Sequence, residues 1–204
     1  MTIALHKGDL PATYTPGTSI AIDTETLGLN LNRDRLCLVQ ISRGDGSADL
    51  VQIAPHQTSA PHLQKILADA AVTKLFHFGR FDIAMLERAF GTPVVTVYCT
   101  KIASKLTRTY TDRHGLKDLV RELLGVDLSK QQQSSDWGAE TLSEAQMAYA
   151  ASDVLHLHAL RTRLDDMLKR EGRLEIAQAC FTFLPQRARL DILGWAEQDI
   201  FAHT

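Results

Sequence analysis

Apolar residues in the first part of the chain come in short, β-rich runs, and polar turn residues separate them. "SIAIDTE" (19–25), "RLCLVQIS" (35–42) and "DLVQIA" (49–54) predict three strands, with "RGDGSA" as the turn between the last two. Such close spacing predicts an antiparallel meander. After Pro61 the period changes: "HLQKILADAAV" repeats its apolar positions as a helix does, "TKLFHF" (73–78) returns to a strand, and "DIAMLERAF" (82–90) is helical again until Gly91 and Pro93 stop it. A fifth short strand is predicted at 94–98, and the remainder reads as mainly helical. The pattern predicts an α/β fold, a mixed five-stranded sheet flanked by helices with a helical C-terminal part, in a single domain over 1–204.

Composition narrows the class without naming a chemistry. With 45% hydrophobic and 23% charged residues in 204, the chain suits one sizeable core. No apolar run approaches the roughly 20 residues of a membrane span, and the N-terminus lacks the pattern of a secretory leader, so a soluble cytoplasmic protein with no membrane partner is expected. Cys37, Cys99 and Cys180 are odd in number and far apart, so neither a disulfide framework nor a thiolate zinc site is indicated. A net charge of −2 argues against coating long nucleic acid by bulk electrostatics. Locally, however, Lys101, Lys105, Arg108, Arg113, Lys117 and Arg121 face only Asp112 and Asp118. Lys101, Lys105 and Arg108 follow helical spacing and would form one phosphate-facing ridge or a solvated helix face.

Candidate chemistry begins at Asp23 and Glu25. In an extended segment alternate side chains share a face, so the two carboxylates end a buried strand pointing the same way and repel each other unless a cation intervenes. Asp82, in "GRFD", stands where a strand hands over to a helix; taken alone, an acid there is more often a helix cap than a ligand. In "MAYAASDVLHLHAL", Tyr149 and Asp153 are four apart on one helix face, which places an acid among alanines and leucines, where a lone carboxylate is costly. These hard oxygen ligands suit Mg²⁺ or Mn²⁺ rather than zinc. Two such divalent cations, roughly 3.5–4 Å apart, would stabilise both the entering and leaving oxygens of a phosphodiester.

In order and spacing, "DTE", "FHFGRFD" and "YAASD" resemble the three motifs of the DEDD exonuclease superfamily. Tyr149, four before Asp153, marks the tyrosine-bearing branch; the histidine branch would need histidine where Ala148 stands. "SDWGAETLSEAQMAYAASDVLHL" resembles the ribonuclease D group, and the length with the ending "LPQRARLDILGWAEQDIFAHT" is similar to the nano-RNase C family. The resemblance implies a ribonuclease-H-like fold, two divalent ions and 3′-to-5′ hydrolysis of short RNA. Within the nano-RNase C family it implies 5′-phosphorylated dinucleotides as substrate, activity on DNA ends and a ring-shaped homo-octamer. One departure is Phe78, where relatives carry asparagine.

By this resemblance Asp23, Glu25, Asp82, Tyr149 and Asp153 are the catalytic set, and the four carboxylates are the metal ligands. Thr24, Leu29, His77, Lys101, Lys105, Arg108, Lys130 and Gln133 are candidates for substrate contact, Leu29 as a wedge between bases and the basic groups around a 5′-phosphate. Trp137 is expected to pack rather than stack on a base, and Trp195 and Phe201 to meet another subunit. The alternatives are a general 3′-5′ exonuclease on longer RNA or double-stranded DNA ends, and a non-catalytic nucleic-acid adaptor.

Overall fold

The computed structural model describes residues 2–129, 132 and 134–203; the candidates Lys130 and Gln133 lie outside the described residues. Six strands, one more than the sequence pattern predicts, form a sheet in the order β1-β4-β3-β2-β5-β6. The additional strand is β1 (Thr2–Lys7), an edge strand paired in parallel with β4 (Ser47–Gln52). None of its residues is fully buried, which is why "TIALHK" gives so weak an apolar signal. Polar contacts hold it instead: His6 Nε2 lies 2.8 Å from Asp49 Oδ1.

The predicted meander is present. β2 (Ser19–Thr26) pairs antiparallel with β3 (Leu36–Ser42), and β3 pairs antiparallel with β4. On the other side of β2 the direction changes, because β5 (Thr73–Phe76) runs parallel to β2 and β6 (Val97–Cys99) parallel to β5. Burial on both faces explains the continuous apolar run at the start of β2, where Ile20, Ala21 and Ile22 are wholly enclosed. Each aliphatic side chain as large as Ile20 contributes about 1.5–3 kcal/mol through removal from water.

Helices α1 (Pro61–Ala68), α2 (Arg80–Phe90), α3 (Thr100–Thr107) and α4 (Leu116–Leu124) follow in turn. The apolar stretch read as one helix through Asp153 is two: α5 (Glu144–Leu155) ends at His156, whose φ of −101° and ψ of −6° turn the chain into α6 (Leu157–Arg170). Leu157 and Leu160 therefore belong to a different helix from Tyr149 and Asp153. α5 begins in a capping box, with Ser143 Oγ accepting from the Gln146 amide and the Gln146 side chain accepting from the Ser143 amide at 3.0 Å. It packs through Ala150 and Met147 against Leu38, Leu50 and Trp137 on one sheet face. Trp137 is 3% exposed, as a packing residue should be.

α7 (Leu174–Leu190) closes the fold and runs into a π-helical turn, Asp191–Trp195. This end is tied to the start of α2: Arg80 Nη2 donates to Asp191 Oδ1 at 2.8 Å and to the Ala196 carbonyl at 2.7 Å. Within and beyond this turn, Leu193, Trp195, Ile200 and Phe201 are exposed. Among the described residues, no helix is long and apolar enough to cross a membrane.

Candidate active site

Pairing between β2 and β5 stops at Ala21 and Leu75, whereas β2 continues beside β3 to Thr26 and Leu36. Asp23 to Thr26 consequently overhang the end of β5, and a cleft opens where the neighbours of β2 change direction. The segments leaving the parallel strands supply its walls: Asp23 and Glu25 from β2, His77 and Phe78 after β5, and Lys101 after β6. Asp23 and Glu25 lie opposite Gln40 and Leu38 in the ladder, on the face covered by α5. From α5, Tyr149 and Asp153 enter the same cleft, which encloses about 340 Å³. Ligating oxygens of Asp23, Glu25 and Asp153 all come within 4.8 Å of one another.

Asp82 arrives from the opposite side of β2. Thr24 alternates with its acidic neighbours and points to the other face, where its hydroxyl donates to Asp82 Oδ1 at 2.6 Å. Asp82 can come so close because α2 starts in a tight turn: a Cβ on Gly79 would sit 2.5 Å from Phe76 Cβ. Thr24 was expected to contact substrate; its side chain is 8% exposed and its hydroxyl is committed to Asp82.

Four acids this close cannot all be ionised without counter-charge. Burial, then repulsion from Asp82, Asp153 and Glu25, raises Asp23 well above the ordinary carboxylate range. Burial raises Glu25 to about 8, with Asp153 and Asp82 adding repulsion. Asp82 rises to about 7 through burial, against the pull of the Thr24 hydrogen bond. Asp153 rises to about 7 through burial and the charge of Asp82, opposed by a hydrogen bond from Tyr149. An all-carboxylate set that resists ionisation when empty fits hard divalent cations, which supply the missing charge. Tyr149 is pushed above its usual value, first by burial and then by Asp153, Glu25 and Asp23, so its phenol stays protonated.

The remaining candidates separate by environment. Leu29 is 84% exposed on the loop beyond β2. His77 lies beside Thr100, whose hydroxyl donates to the Phe76 carbonyl at 3.2 Å and lies 2.9 Å from His77 Nδ1. Thr100 thus accepts from a protonated Nδ1, which leaves Nε2 as an acceptor. Burial, and then the charge of Lys101, push the ring down to about 3, so it is neutral. Lys101 lines the cleft, and Lys105 is exposed one turn further along α3. Arg108 does not join the expected phosphate ridge. It ends α3 fully buried, with Nε donating to Glu122 Oε1 at 3.2 Å and Nη1 to the Arg113 carbonyl at 2.6 Å. Its guanidinium is spent on structure. Sequence reasoning passed over Phe78 as a cleft residue and placed Lys117 only within the basic run; both line the cleft.

Comparison with known proteins agrees with this arrangement. A 3′-5′ exonuclease family signature matches residues 9–169. Ribonuclease D of Gluconacetobacter diazotrophicus is 37% identical over 156 residues, covering 76% of this chain and 39% of that protein. The chain thus spans about two-fifths of the length of the curated relatives it matches. Among solved structures, Brucella melitensis NrnC with bound Mg²⁺ is 60% identical with a TM-score of 0.97, each chain covered in full. The same Brucella protein bound to pGG is 61% identical with a TM-score of 0.97, again over 100% of both chains. Escherichia coli ribonuclease D, described as an exoribonuclease involved in structured RNA processing, is 29% identical with a TM-score of 0.74, over 84% of this chain and 45% of that one. A sheet with its acids at the switch point, a carboxylate cluster suited to metal and a family match over most of the chain lead to one conclusion: the protein belongs to the metal-dependent 3′-5′ exonucleases of the ribonuclease D group.

Proposed function

We propose that this exonuclease acts on very short RNA, with 5′-phosphorylated dinucleotides as its preferred substrate and 5′-mononucleotides as products. The observation that carries the reading is the likeness, over the whole chain, to Brucella NrnC bound to pGG. A cleft of about 340 Å³, near the low end of the size range for ligand pockets, suits a short substrate better than an extended track.

In this reading Asp23, Glu25 and Asp153 would hold one divalent cation, and Asp23 with Asp82 would hold a second, Asp82 directly or through water. Bound Mg²⁺ or Mn²⁺ would lower the pKa of a water and neutralise charge on the departing 3′-oxygen. Tyr149, protonated and hydrogen-bonded to Asp153, orients the attacking water and does not remove its proton. His77 offers Nε2 as an acceptor to a sugar hydroxyl. Leu29 wedges beside a base, and Lys101 and Lys105 attract phosphate. The protein works in the cytoplasm as a homo-oligomer, an octamer by resemblance, joined partly through Trp195 and Phe201, which are 43% and 75% exposed. DNA ends are a secondary substrate.

Initial rates on 5′-phosphorylated RNA of two to seven nucleotides test the proposal. A steep advantage for the dinucleotide is expected; a flat or rising series favours a general exonuclease on longer RNA or duplex DNA ends.

A further inference from the structure

Phe78 adopts a left-handed backbone, φ 63°, a conformation that costs a bulky side chain energy and that glycine or asparagine would adopt more cheaply. Two other non-glycine residues among those described have positive φ, His56 and Thr96, and neither lines the cleft. Core packing does not compensate for the strain at Phe78. Its ring joins neither hydrophobic cluster and is 48% exposed. It stands on the cleft wall beside His77, in the same cleft as Asp23, Glu25 and Asp153, and Lys101 Nζ lies 4.2 Å from its centroid. The turn needs a left-handed residue before close-packed Gly79, yet nothing in the fold needs that residue to be aromatic.

A strained, half-exposed aromatic face next to a cation and a carboxylate cluster has the makings of a nucleotide subsite. Every base has a π-face to stack, and the phosphate it carries attracts an ammonium. We propose that Phe78 is the stacking platform for one nucleobase of the substrate, with Lys101, held against its ring, meeting the phosphate of that nucleotide. The inference rests on the nucleic-acid cleft assigned above and adds a specificity-determining contact to it.

The test measures binding by calorimetry in Ca²⁺, using 5′-phosphorylated diguanylate RNA and two versions of it, each lacking one base. Phe78→Gly is expected to weaken the complete dinucleotide by about 5- to 150-fold, the worth of one stacked base. Against the version lacking the stacked base it should have less than about a twofold effect, because the same interaction is already gone. Phe78→Trp should bind like the wild type. The melting temperature of Phe78→Gly should equal or exceed that of the wild type, since glycine relieves the backbone. If Phe78→Gly weakens all three ligands equally, as Lys101→Ala would, the ring serves only to hold Lys101 and the platform is wrong. Unchanged binding also overturns it. Should the wild type bind no dinucleotide, the short-RNA reading fails instead, and a heptanucleotide with and without its terminal bases still tests Phe78.

Discussion

Thr24 and Asp82, 58 residues apart, meet in a buried hydrogen bond of 2.6 Å from the Thr24 hydroxyl to Asp82 Oδ1. Through it the strand that carries Asp23 and Glu25 also aims the acid at the start of α2. A carboxylate with one oxygen fixed in this way offers the other to a ligand in a set orientation. Thr24→Val should therefore lower divalent-metal affinity and turnover by about 10- to 100-fold, with Thr24→Ser restoring most of both. Metal titration by calorimetry, with steady-state rates, checks this; a Val variant indistinguishable from the wild type would show that Asp82 needs no such support.

The carboxylate cluster predicts an unusual pH dependence. Asp23, Glu25, Asp82 and Asp153 all hold protons more tightly in the folded chain than acids in water do, with Asp82 and Asp153 near 7 and Glu25 near 8. Through these acids the folded state binds more protons than the unfolded state above about pH 4, so their contribution to stability falls as pH rises; His77, His114, His156 and His158, whose pKa values burial lowers, oppose it below about pH 6.5. For the metal-free protein the melting temperature should decline as pH rises from about 6.5 through about 8, the range in which Asp82, Asp153 and Glu25 lose their protons in the fold and the histidines are neutral in both states. Saturating Mg²⁺ or Mn²⁺ should reverse the loss most strongly at pH 8, because binding must displace the fewest protons there. Asp153→Asn should raise the metal-free melting temperature at pH 8 while cutting turnover by about 10²-fold or more. Thermal scans across pH with and without metal measure all of this.

Two basic residues that helical spacing alone would align should behave in opposite ways. Arg108 is enclosed and bonded to Glu122, Ser104 and the Arg113 carbonyl, so Arg108→Met is expected to destabilise by about 2–4 kcal/mol. Its KM should stay within about twofold of the wild type at temperatures where it is folded, because the guanidinium never reached substrate. Lys101→Ala should leave the melting temperature unchanged and raise KM by about tenfold or more, the worth of one charge-assisted contact to phosphate. Denaturant unfolding and steady-state kinetics on the two variants separate the roles.

That contrast shows what the sequence could carry. Helical spacing placed Lys101, Lys105 and Arg108 together, but periodicity gives a direction around a helix axis, not the depth of its end; Arg108, at the C-terminus of α3, falls inward onto Glu122. Alternation along β2 correctly put Asp23 and Glu25 on one face, because strand periodicity is rigid over so few residues. Thr24, expected at the substrate, turns by the same alternation to the other face, and its partner stayed hidden because it lies across the fold on another element. β1 was illegible since an exposed edge strand buries too little to leave an apolar signature. The break at His156 was missed because apolar residues continue through it without a glycine or proline to mark the turn. Phe78 stood out in the motif, but its strained backbone is a property of the turn and not of the letters around it.

Asp23, Glu25, Asp82 and Asp153 are expected to gather two divalent cations at the overhanging end of β2. Anomalous diffraction from crystals grown in Mn²⁺ with a non-hydrolysable dinucleotide tests it most directly. Two manganese peaks about 3.5–4 Å apart are expected, one among Asp23, Glu25 and Asp153 and the other between Asp23 and Asp82. A map with no manganese in that cleft, from protein that still cleaves its substrate in a chelating buffer, would contradict it.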